Sequence, residues 1–141
     1  MSNLIKIKGD ASNREFFRKK KNGNSSIIVF SKKDKLKNSV IYDSINKVLI
    51  KNKILAPVLY NENYNKHYIE IQDLGNQTIL KVLSKKNINK LECFKKVIKL
   101  LNQIQLIKDT KVKNFKKKIY TVPKYDNEIL IKEANLFCNW Y

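Results

Sequence analysis

Asn22-Gly23 is the most constraining pair of residues in this chain. Both tolerate positive φ, so an Asn-Gly between two strand-like runs closes a tight hairpin and makes its flanks pair antiparallel. Arg14–Lys19, with Phe16, Phe17 and Arg18, precedes it, and the almost wholly apolar Ser26-Ile-Ile-Val-Phe30 follows it. We read these as the second and third strands of a sheet, the third being central because it is apolar throughout. Upstream, Leu4-Ile-Lys-Ile-Lys8 alternates apolar and polar from Ile5 on, which predicts a half-buried first strand. Gly9-Asp-Ala-Ser-Asn13 between the first two strands consists of small residues and turn formers, hence a tight loop.

From Lys35 to Asn52 the period changes. Leu36, Val40, Ile41, Ile45, Val48 and Leu49 recur at three- and four-residue spacings and predict a helix with one apolar face. Pro57 stops it and opens Val58-Leu-Tyr60; Asn61–Asn65 is read as a turn, and His67-Tyr-Ile-Glu-Ile-Gln72 alternates again. These are expected to be strands four and five, paired as a hairpin. Asp73-Leu-Gly75 ends the fifth strand, and Thr78–Leu83 predicts a short helix. Leu91, Phe94, Val97, Ile98, Leu101, Ile104 and Ile107 mark a long amphipathic helix with lysines opposite. Asp109–Asn114 and the region of Pro123 are expected to be loops, and Asn127–Trp140 a last helix. Three strands, a helix, two strands, a linker and then helices make the fold class α+β. That order fits several layouts, a kinase-type nucleotide lobe among them.

A net charge of +18 over 141 residues invites a nucleic-acid partner. Yet Arg14 and Arg18 are the only arginines, whereas base and phosphate recognition draws on the bidentate guanidinium. The lysines are spread along the whole chain among Asn and Ile. We read the charge as a solvated surface and expect no specific nucleic acid. The longest apolar runs, Ser26–Phe30 and Ile54–Tyr60, fall far short of the roughly 20 residues a bilayer needs, so no membrane partner is expected. Met1-Ser-Asn-Leu-Ile-Lys lacks a signal-peptide pattern. Cys93 and Cys138 are isolated and His67 is the single histidine, which excludes a zinc framework by spacing and fits a cytoplasmic location. No nucleophile elbow or triad pattern is present.

Three stretches carry a resemblance. Gly9-Asp-Ala-Ser-Asn-Arg-Glu-Phe-Phe-Arg18 resembles the GDAS-x-R-x-[YF]-x-R opening of bacterial phosphotransferases that include the N-acetylmuramate/N-acetylglucosamine anomeric kinases. Glu70-Ile-Gln-Asp-Leu-Gly75 resembles their hinge. Pro123-Lys-Tyr-Asp126, followed by Leu130, Glu133, Leu136-Phe137 and Trp140-Tyr141, resembles their P-x-Y-D…L…E…LF…WY segment. The order and spacing are similar to those of the aminoglycoside phosphotransferase superfamily over nearly the whole chain.

The resemblance implies a protein-kinase-like N-lobe, a five-stranded antiparallel sheet plus one helix, over residues 1–74. A hinge and the first helices of an incomplete C-lobe would occupy residues 75–141. It implies ATP and Mg2+ as cofactors and an amino sugar or similar alcohol as acceptor, phosphorylated in peptidoglycan recycling. Gly9, Asp10, Ala11, Ser12 and Asn13 would cover the ATP phosphates, since small residues let backbone N–H groups approach them. Arg14 would reach an anionic group, and Gln72, Asp73 and Leu74 would offer hinge groups to adenine. Tyr125, Asp126 and Glu133 would face the acceptor or brace the second lobe; read alone, Asp126 is a helix cap and Glu133 a solvated residue.

The pattern is broken in places. Strand three carries no Lys; Lys32 and Lys33 lie just past it, with Asp43, the only acid on the following helix, as candidate partner. No H-x-D-x-x-x-x-N loop or magnesium Asp is present, and His67, placed inside a predicted strand, has no Asp two residues on. No catalytic or metal residue is therefore assigned, and a fragment lacking its catalytic lobe is expected. The long helix would then leave an apolar patch exposed where that lobe is missing. Two alternatives belong to other classes: a basic non-enzymatic module for nucleic acid or another polyanion, and a pseudokinase that binds a partner through its hinge-side helix.

Overall fold

A computed structural model describes residues 3–8, 14–31, 36–108, 110–123 and 126–140. Strands β1 (Asn3–Ile7), β2 (Arg14–Lys21) and β3 (Asn24–Ser31) come first, then helix α1 (Leu36–Lys51), then β4 (Leu59–Asn63) and β5 (Tyr68–Gln72). They form a five-stranded sheet in the order β1-β2-β3-β5-β4, with every neighbouring pair antiparallel. The chain is α+β, and β3 is central as its composition predicts.

Asn22 and Gly23 both take positive φ, 50° and 79°, which pairs Lys21 with Asn24 across a two-residue turn. The register that follows decides which side chains share a face. Phe16 lies opposite Val29 and Arg18 opposite Ile27; Ile27 and Val29 lie opposite Ile71 and Ile69 on the other side. Ile27, Val29, Ile69 and Ile71 form the core, with Ile7, Phe16, Leu59, Tyr42 of α1 and Phe115 packed on it. Each of the four buried core residues contributes about 1.5–3 kcal/mol by burial. The opposite face carries the edge-on pair Phe17–Phe30, the Phe30–Tyr68 contact and the ion pair of Lys19 with Glu70.

Helix α1 forms where the periodicity places it, but its inward face is more polar than the pattern predicts. Val48 is buried, whereas Ile45 is exposed and Ser39, Asp43, Ser44 and Asn46 are buried instead. Each of these polar groups has a partner, which is why burial is tolerated. The Ser39 hydroxyl bonds that of Ser31 at 2.9 Å, Ser44 donates to the Val40 carbonyl, and Asn46 donates to the Pro57 carbonyl. A Schellman closure ends the helix: Lys53 has φ 59°, its N–H donates to the Ile50 carbonyl, and the Ile54 N–H donates to that of Leu49.

Two stretches differ from the sequence expectation. Strand β4 runs on to Asn63, and His67 sits in the following turn at φ 62° rather than inside a strand. Its N–H donates to the Tyr64 carbonyl, and its own carbonyl accepts the Ser31 N–H. Part of the expected Asp109–Asn114 loop is strand β6 (Lys111–Lys113), paired antiparallel with β7 (Ile119–Thr121); Asp109 lies outside the described residues. This small hairpin docks on α1 through Phe115.

The remaining helices are α2 (Ile79–Leu83), α3 (Lys90–Gln105) and α4 (Asn127–Trp140). Thr78 and Asn89 cap α2 and α3 by accepting the N–H groups of Lys81 and Glu92. Helix α3 buries none of its residues; Leu91, Phe94, Ile98 and Leu101 are all at least half exposed. Among the described residues no helix is long and apolar enough to cross a membrane.

Candidate functional site

A cleft of ≈ 450 Å³ opens where the core face of the sheet meets the chain leaving β5. Ile7, Phe16, Ile27 and Ile71 form its apolar wall, and residues from Gln72 to Thr78 its opposite side. Sequence and register account for the wall: Ile7 lies opposite Phe16, and Ile27 opposite Ile71. Lys8 and Lys81 stand at the rim.

The departing segment is held from both sides. On one side the Gln72 N–H donates to the Val58 carbonyl at 2.8 Å, and its side-chain oxygen accepts the Val58 N–H. On the other, Arg18 of β2 reaches across the sheet to Asp73 as a two-pronged pair, Nε to Oδ2 at 2.5 Å and Nη2 to Oδ1 at 3.0 Å. Such fork-to-fork contacts fix orientation as well as charge. The two side chains are 17% and 5% exposed, so the pair is nearly dry. Asp73 Oδ1 also accepts the Gly75 N–H at 2.9 Å, where Gly75 takes φ 85°, a conformation that suits glycine. The Arg18 guanidinium holds the Asp73 carboxyl below its ordinary value against the effect of burial, and the Gly75 N–H and Ser25 hydroxyl pull the same way. Leu74, between these anchors, makes no hydrogen bond to the described residues and is half exposed.

Gln72, Asp73 and Leu74 therefore stand together at one cleft. Asp73 is more than the turn residue that a lone Asp-Leu-Gly implies; its carboxylate is the anchor of the segment. Arg18, which sequence reading treated as a strand residue, is its partner. The signal for it was present in the register: Asn22-Gly23 places Arg18 opposite Ile27, whose partner on β5 is Ile71, two residues before Asp73.

Arg14 does not face the cleft; its guanidinium lies over the rings of Phe16 and Tyr42, 5.7 and 5.6 Å from their centroids. Asp43 has partners other than the lysines past β3. Its Oδ2 accepts from Lys47 one helical turn on, at 2.8 Å, and from the Phe115 N–H at 2.9 Å. It ties the β6–β7 hairpin to α1. Lys32 and Lys33 lie outside the described residues, as do Gly9, Asp10, Ala11, Ser12, Asn13 and Tyr125. Asp126 caps α4 by accepting the Ile129 N–H at 3.0 Å, and Glu133 is exposed on that helix. Neither lines the cleft.

A second hollow, of ≈ 270 Å³, lies on the other sheet face beside the Asn22-Gly23 turn, between Lys19, Ser26, Glu70 and Tyr60. Burial pushes the Glu70 carboxyl up, but hydrogen bonds from Ser26 and Lys19 outweigh it and hold the group below its ordinary value. Among the described residues no group of three or more His, Cys, Asp and Glu side chains is placed to hold a metal ion.

An apolar slot of this size, with unpaired backbone at one edge, can take a flat ring with a polar rim. The chain matches no protein-family model and no curated protein.

Proposed function

We propose that the cleft binds the base of ATP, and that the chain is the nucleotide-binding part of a cytoplasmic small-molecule phosphotransferase with a kinase-like N-lobe. The acceptor would be an amino sugar or a similar small alcohol. The observation that carries this reading is the position of the cleft: it lies between the apolar face of a five-stranded antiparallel sheet and the segment that joins the sheet to the helices, with Leu74 unpaired at its edge. The resemblance of Gly9–Arg18 and Glu70–Gly75 to phosphate-loop and hinge segments supports it independently.

The residues present fit a purine. Ile7, Phe16, Ile27 and Ile71 offer one apolar surface for a ring face, and the unpaired backbone of Leu74 offers a donor and an acceptor to its edge. Lys8 and Lys81 supply positive charge at the rim for a phosphate chain. What ATP supplies is a transferable γ-phosphoryl group; this chain's part is to bind and orient it. The general base and magnesium ligands of such an enzyme would be supplied by residues other than those of this cleft.

Calorimetric titration with ATP and magnesium at moderate salt tests the reading. The 141-residue chain is expected to bind saturably, Ile7→Trp to abolish binding by filling the slot, and Gly9→Val with Ser12→Ala to weaken it. Circular dichroism checks that Ile7→Trp keeps the fold. Binding that survives Ile7→Trp and fades with added salt would instead identify lysine electrostatics.

A further inference from the structure

We propose that Arg18 and Asp73 are a positioning pair for the nucleobase: the pair holds the departing segment so that the Leu74 backbone faces the cleft. The inference rests on the nucleotide reading above and adds to it a residue from a different strand, 55 positions away in sequence. Three observations carry it. Both members line the cleft, so the pair sits at the ligand's edge rather than in the distant core. Asp73 is shared: the same carboxylate that takes the Arg18 fork also takes the Gly75 N–H. Its placement thus fixes the backbone on the far side of Leu74, while the Gln72–Val58 contacts fix the near side. Leu74 itself is left with no hydrogen bond among the described residues.

A segment held at both ends with its middle unpaired has its ordering entropy already spent before a ligand arrives, and that preorganisation raises affinity for whatever pairs with the middle. The guanidinium suits this role because its planar fork meets the two carboxylate oxygens through separate N–H groups and so fixes their orientation, whereas an ammonium is a point charge that imposes no plane. In the proposed mode Arg18 and Asp73 do not act on phosphate. Their loss should therefore be felt by the base and not by the phosphate chain.

The experiment separates these two halves of the ligand. Affinities of the full chain for ATP, adenosine and inorganic tripolyphosphate are measured for the wild type, Arg18→Met, Arg18→Lys and Asp73→Asn. Val48→Ala, a buried position of α1 away from the cleft, serves as a control for lost stability. The expected result is a loss of at least about tenfold in adenosine and ATP affinity for Arg18→Met. Arg18→Lys should fall between Arg18→Met and the wild type, with tripolyphosphate unchanged and Val48→Ala neutral. Should Arg18→Met fail to fold, Arg18→Lys and Asp73→Asn carry the same comparison. Wild-type adenosine binding that all three variants retain would overturn the positioning role and leave the nucleotide reading standing. Losses for tripolyphosphate as large as for adenosine, matched by Val48→Ala at equal destabilisation, would also overturn it, the pair being then merely structural. A wild type that binds neither ATP nor adenosine would overturn the nucleotide reading and this inference together.

Discussion

Among the described residues, Asp73 and Glu70 are acids whose folded environment favours the charged form; Glu70 ties β5 to β2 and β3, and Asp73 ties the segment leaving β5 to β2. Because their folded values are lowered from 3.8 and 4.5, the unfolded chain takes up protons first as pH falls. Their contribution to stability is therefore fully present above those ordinary values and is lost as pH drops through the lower folded ones. The urea midpoint should be insensitive to these groups near neutrality and fall steeply under acid. Asp73→Asn should lower the unfolding free energy from the same urea titration by about 2 kcal/mol at pH 7, since Arg18 is left nearly dry without its counter-charge, and should flatten part of the acid slope. An unchanged acid slope in that variant would remove Asp73 from the account. Ile69, 2% exposed in the middle of the core, should cost about 3 kcal/mol on truncation to Ala by the same urea measurement, through lost burial and the cavity left behind.

Helix α3 and the β6–β7 hairpin show how differently elements of one chain are held. Helix α3 presents an amphipathic pattern but buries no residue, so its 16 residues rest on local terms, and an isolated helix of that length is marginal. Asn89→Ala, which removes its cap, should therefore weaken α3 by about 1 kcal/mol. Amide exchange should show that loss in α3 while the sheet stays protected; equal loss in both would mean that the helix unfolds only with the whole. The hairpin, by contrast, is anchored to the rest of the chain: Asp43 accepts the Phe115 N–H, and the Phe115 ring packs on the core. Asp43→Ala should speed exchange of the Phe115 amide by at least about tenfold relative to amides of β3. These contrasts explain what sequence could and could not show. Period-two alternation with an Asn-Gly turn made the sheet legible, and three-and-four spacing did so for the helices. Two three-residue strands in which lysines flank Val112 are too short to show a period, and the polar inward face of α1 depends on partners from Ser31, Pro57 and Phe115. At the cleft, Gln72–Leu74 was singled out by the resemblance of Glu70–Gly75 to a hinge segment, since an Asp-Leu-Gly after an alternating run shows by itself only a strand end. Arg18 was not, because a register must be followed across three strands before its partner is in sight.

On the scale of the whole molecule, 30 basic against 12 acidic residues leave a surface that attracts any polyanion. ATP is itself a polyanion, so affinity for it alone does not separate a shaped cleft from a lysine coat. Salt does. Contacts between lysines and a charged chain are driven by counterion release, and their affinity falls steeply and linearly on a log–log plot against salt. Heparin or duplex DNA should lose affinity on the order of 10³-fold between 50 and 200 mM salt if several lysines engage it at once. Adenosine carries no charge, and in the proposed mode its binding would depend on the apolar wall and on the Leu74 backbone, neither of which responds to screening at these concentrations. Its affinity should stay within about twofold over the same range, with ATP falling between the two because only its phosphates feel the lysines. Three slopes ordered in this way would place the base in the cleft and the phosphates in the field of the surface. An adenosine slope as steep as that of heparin would have no explanation in a neutral ligand bound by the cleft, and would return the chain to the class of basic polyanion-binding modules.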